Sequence, residues 1–204
     1  MKEQVVDDQL TLLSMMTKPR KTLRFALEHK NFSHSLYIGA VGGFSNALLG
    51  QFQTKYPKGY FLGDLVYSSF ISGIIVYLIS CFVTGFILKH VGRWFGSQAT
   101  FKQLFQTLCL VAIPYIWLLP ILLFWMQLSP ETFFKVDLLN LEMKQLFVMA
   151  FGALAIIIAS IWAFILTLVG LSEAMRISKW KAFGAMIIAT FIVGVVMLLF
   201  MSVL

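Results

Sequence analysis

Residues 65–88 read LVYSSFISGIIVYLISCFVTGFIL and contain no charged side chain. A helix needs about 20 consecutive, mostly apolar residues to cross the hydrocarbon core of a bilayer, so this stretch predicts a membrane-spanning helix. Four other apolar stretches accompany it, at about 36–50, 103–126, 146–169 and 182–204. All of them except 36–50 reach the required length. The sequence therefore predicts an all-α fold, a polytopic bundle of five transmembrane helices.

The basic residues between these stretches alternate along the chain. From the N-terminus to the C-terminus, the six segments outside the stretches carry 6, 2, 3, 2, 3 and 0 Lys and Arg residues. Five crossings would collect 12 basic residues on one side of the membrane and 4 on the other. Short cytoplasmic loops are enriched in Lys and Arg, which predicts a cytoplasmic N-terminus and a C-terminus outside.

The composition excludes an ordinary soluble domain. The 204 residues are 59% apolar and 12% charged, and the mean hydropathy is +0.86. These values are typical of an integral membrane protein. The net charge of +7 does not indicate nucleic-acid binding, because the basic residues lie at the ends of apolar stretches and not in one soluble patch. A lipid bilayer with anionic headgroups is the partner expected for them.

A polar segment, residues 1–35, precedes the first apolar stretch. Thr17 as a cap and Pro19 in the first turn predict a short helix. Basic and apolar residues are mixed in it, as in helices that lie on a membrane surface. A solvated tail is the alternative. The residues expected to face lipid on the cytoplasmic side are Arg20, Lys21, Arg24 and Lys30.

The first apolar stretch, 36–50, is short and rich in glycine. Gly39 and Gly43 have the Gly-xxx-Gly spacing that lets two helices approach closely, and Asn46 is polar enough to bond a neighbour. We expect this stretch to cross the membrane packed inside the bundle. A re-entrant segment is the alternative.

The third apolar stretch contains both polar residues and prolines. Gln106 and Thr107 lie one to two turns inside it, where a contact with another helix or with a lipid headgroup would satisfy them. Pro114 and Pro120 predict bends. Such bends either fit a helix around its neighbours or shape a cavity for a substrate.

Local signals add two further expectations, one about the two cysteines and one about the connection after the third stretch. Cys81 and Cys109 fall at similar distances from the turn joining the second and third stretches, so we expect them at similar depth on neighbouring helices. Ser129, Pro130 and Glu131 predict the start of a short interfacial helix in the longest outer connection.

No pattern in the sequence points to catalysis. A membrane enzyme needs a nucleophile or an ionisable group inside the bundle, with a partner that activates it. All nine carboxylates and the three histidines lie in the tail, the loops or the span borders. There is no His-Glu-x-x-His metal motif and no pair of intramembrane aspartates. We therefore expect no enzyme, no catalytic or metal-binding residue and no cofactor.

Three segments carry a family resemblance. Residues 92–105 read GRWFGSQATFKQLF, residues 112–115 read AIPY, and residues 171–182 read LSEAMRISKWKA. Together they resemble the Yip domain family, which shows a Gly-rich turn, Ser/Thr-Phe-basic-Gln-Leu, Ala-x-Pro, and later a Glu followed by Lys-Ala. The resemblance covers about residues 18–204. The positions that match family motifs are Gly92, Phe101, Gln103, Glu173 and Lys181.

The resemblance implies five spans with a cytoplasmic N-terminus, so residues 36–204 would form a five-helix Yip-like domain. Eukaryotic members bind small GTPases through an N-terminal Asp-Leu-Tyr-Gly-Pro motif. This sequence has no such motif before its first span, so a small GTPase is not an expected partner. The short tail resembles the bacterial branch, in which some members accompany ABC-type exporters as small membrane subunits.

Two functions remain open. The first is a non-catalytic integral subunit of a bacterial plasma membrane that binds other membrane proteins, such as ABC exporter subunits. The second is a transporter that handles a lipid or small molecule in a cavity around the bent third span. The residues expected to make helix-packing or partner contacts are Gly39, Gly43, Asn46, Gln106, Thr107 and Pro114.

Overall fold

The computed structural model describes residues 11–52, 61–134 and 142–203, and every regular element in these ranges is an α-helix. The predicted all-α class is confirmed. Residues 1–10 of the N-terminal segment and residue 204 of the fifth predicted span lie outside the described residues. The helices are α1 (Thr11–Thr17), α2 (Pro19–His29), α3 (Phe32–Gly50), α4 (Leu62–Trp94), α5 (Phe101–Leu110), α6 (Ile113–Leu128), α7 (Pro130–Phe134), α8 (Met143–Met175) and α9 (Lys179–Val203).

Four helical segments in the described part of the chain are long and apolar enough to cross a membrane. They match the second to fifth predicted spans. The helix of the first predicted span, α3, has 19 residues but is not one of the four, and its serine, histidine and asparagine side chains lower its apolarity. The four segments are Leu62–Trp94, Phe101–Leu128, Met143–Met175 and Lys179–Val196.

The third apolar segment is divided near Pro114. Helix α5 ends at Leu110, and Pro114 lies in the first turn of α6. A helix accepts proline in its first turn, because the N–H that proline lacks would have no partner there. The bend expected at Pro114 is therefore a junction between two helices, whereas Pro120 lies inside α6.

Helix α2 begins one residue later than its sequence signal suggests. Its N-cap residue is Lys18 and not Thr17, and no side chain caps it. Pro19 follows in the first turn, as expected. The Thr22 hydroxyl donates to the Lys18 carbonyl oxygen at 3.0 Å, which satisfies one group of this first turn.

Contacts divide the chain into two compact units, and the first contains α2, α5, α9 and parts of α4 and α8. Helix α2 packs on α8 in this unit: a Cβ added to Gly170 would lie 3.4 Å from Leu23 Cδ1 and 2.8 Å from Thr107 Cγ2. Leu23 and Ala26 of α2 are completely buried, so α2 is an integral part of the unit. The first unit comprises Met1–Leu36, Ile79–Val111 and Phe164–Leu204.

The second unit comprises Tyr37–Leu78 and Ala112–Ala163. Its core surrounds Trp125 of α6, which is 1% exposed. The indole N–H of Trp125 donates to Thr132 Oγ1 at 2.9 Å, and the Phe133 ring meets the indole edge-on at a centroid distance of 5.5 Å. These contacts bury α7, the short helix expected after Ser129.

Candidate functional site

Arg20 and Arg24 of α2 bind one carboxylate, that of Glu173 at the end of α8. Their four-residue spacing places both guanidinium groups on the same side of α2. Arg24 donates through Nη2 at 2.7 Å and through Nε at 3.2 Å to Glu173 Oε2. Arg20 donates through Nε to Glu173 Oε1. This cluster, named here the Glu173 clasp, joins two helices that are far apart in the sequence.

The end of α8 holds the clasp in a defined backbone geometry. The Ile177 N–H donates to the Ser172 carbonyl at 3.2 Å, and the Arg176 N–H donates to the Glu173 carbonyl at 3.3 Å. This pair of bonds forms a Schellman motif, which requires a left-handed residue that is usually glycine. Arg176 takes that conformation, with φ of 54°. A non-glycine residue there costs on the order of 1–2 kcal/mol, so the turn is strained.

Exposure and charge differ sharply within the clasp. The Glu173 side chain is 7% exposed, whereas those of Arg20 and Arg24 are 66% and 59% exposed. The pKa of Arg24 is raised, first by its hydrogen bond to Glu173 and then by the charge of that carboxylate. The clasp therefore consists of two charged, accessible guanidinium groups around one largely enclosed counter-ion.

A polar cavity of about 470 Å³ opens beside the clasp. Guanidinium groups recognise carboxylates and phosphates, so the cavity is suited to binding an anion. Its one hydroxyl, on Ser172, donates to the Ile177 carbonyl at 2.7 Å. Across the described residues, no group of three or more His, Cys, Asp or Glu could hold a metal ion. The polar and charged residues that line the cavity are Arg20, Arg24, Glu28, Gln103, Ser172, Glu173 and Arg176.

The glycines of α3 make their close contacts inside the second unit. A Cβ added to Gly43 would lie 2.6 Å from Tyr77 Cβ and 2.8 Å from the Gly73 carbonyl oxygen. A Cβ added to Gly42 would lie 2.4 Å from Ala112 Cβ. All three distances are shorter than van der Waals contact allows, so these glycines permit packing within this chain.

Two neighbouring polar residues in the C-terminal half of α3 have opposite environments. Ser45 is buried and its hydroxyl donates to the Tyr115 carbonyl oxygen, whereas Asn46 is exposed. The amide of Asn46 forms no hydrogen bond with any residue that the structure describes. Gly39, one turn before Gly43, is buried.

Two of the family-motif positions begin α5. The Gln103 N–H donates to Thr100 Oγ1 at 3.3 Å, and Gln103 Oε1 accepts from the Thr100 N–H at 3.0 Å. This reciprocal pair is a capping box, which satisfies two backbone donors at the start of the helix. Phe101 packs edge-on against Phe82 of α4, at a centroid distance of 5.1 Å.

The family-motif glycine, Gly92, lies in the last turn of α4. Its carbonyl accepts from the Ser97 N–H at 3.0 Å, and Gly96 has a φ of 86°, which together form a second Schellman motif. A Cβ on Gly92 would lie 3.2 Å from Ser97 Cβ and 3.3 Å from Met175 Cε, so Gly92 is closely packed. Lys181 is exposed in the first turn of α9.

The other predicted site residues do not join the cavity. Lys21 is exposed, and Lys30 lies over the Phe25 ring at 5.9 Å. Gln106, Thr107 and Pro114 are buried along the third apolar segment. The structure thus brings together Arg20, Arg24, Gln103 and Glu173, and it leaves the remaining predicted residues elsewhere.

Sequence reasoning missed Arg176. The only available signal is an absence: no glycine or asparagine lies between Glu173 and Trp180, although α8 must end there. The left-handed position consequently falls on an arginine.

Four long, apolar helical segments in the described part of the chain define an integral membrane protein of the polytopic helical class. The chain belongs to the Yip1 domain family, whose model matches residues 13–201. Searches of the curated proteins and of the solved structures returned no significant match.

Proposed function

We propose that this chain is a non-catalytic membrane subunit of a bacterial plasma membrane, which binds other membrane proteins and serves an ABC-type export complex. Membership of the Yip1 domain family supports the membrane location. The resemblance of the short N-terminal segment to the bacterial branch of the family supports the export role. None of the five apolar stretches contains an Asp, Glu, Lys, Arg or His residue. Ion-coupled transport usually relies on such groups at membrane depth, which favours an accessory subunit over a pump.

We also propose five crossings, with the N-terminus in the cytoplasm and the C-terminus outside. Helix α3 has 19 residues, and at 1.5 Å per residue it would be about 28 Å long. That length is close to the roughly 30 Å of a hydrocarbon core. Packing of Gly42 and Gly43 against neighbouring residues shields its weakly apolar middle. The alternation of Lys and Arg supplies the orientation.

One observation carries the partner-binding role: the exposed and unbonded amide of Asn46. An exposed serine in an apolar helix can bond its own backbone, as Ser72 Oγ does with the Ser68 carbonyl at 2.6 Å. An asparagine side chain bonds the backbone of its own helix less readily. An amide without a hydrogen-bond partner in hydrocarbon has an unfavourable free energy. A polar group on a neighbouring protein's helix would satisfy it.

Three of the long helices have mostly exposed surfaces. Of the 18 residues that make up the apolar part of each segment, 56% are buried in the third segment. The buried share is 22% in α4, 28% in α8 and 17% in Lys179–Val196 of α9. The surfaces of these three helices are therefore available to lipid or to other membrane proteins.

Affinity purification in mild detergent tests the role. Asn46→Leu should lower recovery of the copurifying membrane protein by about five- to thirtyfold, if the lost interhelical bond contributes about 1–2 kcal/mol. Thermal stability should stay unchanged, because Asn46 is exposed. Ser160→Leu, on the exposed face of α8, is the matched control. Equal recovery from wild type and Asn46→Leu would contradict the proposal.

A second candidate function rests on a crevice beside Pro120. Its volume is about 520 Å³, within the range of ligand pockets, and its lining is almost wholly apolar. An acyl chain or small apolar molecule fits that chemistry. If the purified chain alone moves such a molecule across liposomes, the transporter role replaces the accessory one. The lining residues are Pro120, Ile121, Phe124, Trp125, Phe147, Val148, Phe151 and Gly152.

A further inference from the structure

We propose that the cavity beside the Glu173 clasp binds a phosphate group, presented by the headgroup of an anionic phospholipid. This goes beyond a diffuse attraction between the basic N-terminal segment and the membrane. It assigns a discrete site to residues of α2 and of the turn that ends α8, and it predicts which basic residues contribute to binding of the phosphate group.

The clasp leaves most of its hydrogen-bond donors unused. A guanidinium group has five N–H donors. Arg20 uses only Nε on Glu173, and Arg24 uses Nε and Nη2. Both side chains line the cavity and are more than half exposed. Glu173 therefore orients the two guanidinium groups while their remaining donors stay available to a ligand.

Arg176 supplies a third guanidinium group, which has no counter-ion among the described residues. Within the described residues, its side chain forms no ion pair and no hydrogen bond, yet it lines the same cavity. Its backbone also holds a left-handed conformation that glycine would adopt more easily. A role for its side chain in the cavity, which Arg20 and Arg24 also line, would explain why an arginine occupies a position that favours glycine.

The charge of the lining favours an anion. Three arginines face two carboxylates, those of Glu28 and Glu173, so the lining has an excess of one positive charge. Arginine recognises phosphate oxygens through paired N–H donors, and the cavity volume of about 470 Å³ lies within the range of ligand pockets.

The same unit carries the residues that mark a membrane interface. Trp180 and Trp94 are 83% and 73% exposed, and Lys179 and Lys181 flank Trp180. Exposed tryptophans beside lysines are typical of the headgroup layer. Trp180 lies only one turn of chain beyond Arg176, so a lipid headgroup is the phosphate source nearest to the cavity.

Native mass spectrometry of the purified full chain tests the site. We compare retention of phosphatidylglycerol with that of phosphatidylcholine in wild type, Arg176→Gly and Lys21→Gln. Arg176→Gly removes the side chain and relieves the backbone, so it should raise thermal stability while lowering phosphatidylglycerol retention about tenfold. Lys21 is exposed on α2, the helix of Arg20 and Arg24, but it does not line the cavity, so Lys21→Gln should retain the lipid as wild type does.

Two outcomes would overturn the proposal. Equal retention of phosphatidylglycerol by Arg176→Gly and wild type would show that there is no discrete site. An equal loss of retention in Lys21→Gln and Arg176→Gly would show the same. A soluble-phosphate arm distinguishes the source: glycerol 3-phosphate is added to the protein in phosphatidylcholine nanodiscs. If it stabilises wild type as strongly as phosphatidylglycerol does, and Arg176→Gly abolishes both effects, the ligand is a soluble phosphate and the lipid assignment is wrong.

Discussion

Replacing Gly43 by alanine should push α3 away from α4. The added Cβ would lie 2.6 Å from Tyr77 Cβ and 2.8 Å from the carbonyl oxygen of Gly73. Neither atom is the end of a flexible side chain, so the helices themselves must separate by about 0.8 Å to restore van der Waals contact. Overpacking of this kind costs about 1–3 kcal/mol.

The helix propensity of alanine opposes that cost and must be removed from the comparison. Alanine is favoured over glycine inside a helix by about 1 kcal/mol. Gly194 lies inside α9 with no atom within 4 Å of an added Cβ, so Gly194→Ala measures this gain alone. The free energies of unfolding of the two variants should therefore differ by about 1–3 kcal/mol, with Gly43→Ala the less stable.

The two buried cysteines provide the assay. Cys81 is 5% exposed and Cys109 is completely buried, and both are free thiols. A thiol-reactive fluorogenic dye should label them only when the detergent-solubilised protein unfolds. Titration with denaturant then yields the free energy of unfolding for each variant. If Gly43→Ala were as stable as Gly194→Ala, close packing of α3 through its glycine face would be refuted.

Three further predictions follow from single contacts. Thr100→Ala removes the capping box of α5 and should lower the free energy of unfolding by about 0.5–2 kcal/mol in the same dye assay. An unchanged free energy of unfolding would show that the capping box does not stabilise the protein. Cys81 and Cys109 flank a contact between α4 and α5, where a Cβ added to Gly85 would lie 3.7 Å from Leu108 Cδ1, so a mild oxidant should join the two thiols into a disulfide and abolish dye labelling of the denatured protein; persistent labelling would place them apart. In a variant with both cysteines replaced by alanine, a new cysteine at Gln98 should resist an impermeant thiol reagent in intact cells, and one at Glu131 should react; the reverse pattern would invert the proposed topology.

The positions of the long helices follow from hydropathy, but their lengths do not. Apolar runs at 65–88 and 146–169 predict α4 and α8, which extend over Leu62–Trp94 and Met143–Met175. An apolar run reflects the thickness of a bilayer, whereas a helix continues until a signal in the backbone ends it. Gly96, with its positive φ, is that signal for α4.

The clasp could not be predicted as a unit. Arg20 and Arg24 stand out as basic residues of an amphipathic segment, and Glu173 stands out through a family motif. Nothing in a single sequence pairs residues so far apart, because their contact depends on how α2 packs on α8. The capping box is different: Thr100 and Gln103 have the required three-residue spacing, so its geometry was readable from the sequence.

Photocrosslinking in living cells, from position 46, tests partner binding most directly. Replacing Asn46 with the photoreactive residue p-benzoylphenylalanine puts the probe on the exposed surface of α3, and the same replacement at Ser160 serves as the control on α8. We expect irradiation to join position 46, but not position 160, to one further membrane protein. Identical adducts from both positions, or no protein adduct from position 46, would contradict a binding role for Asn46.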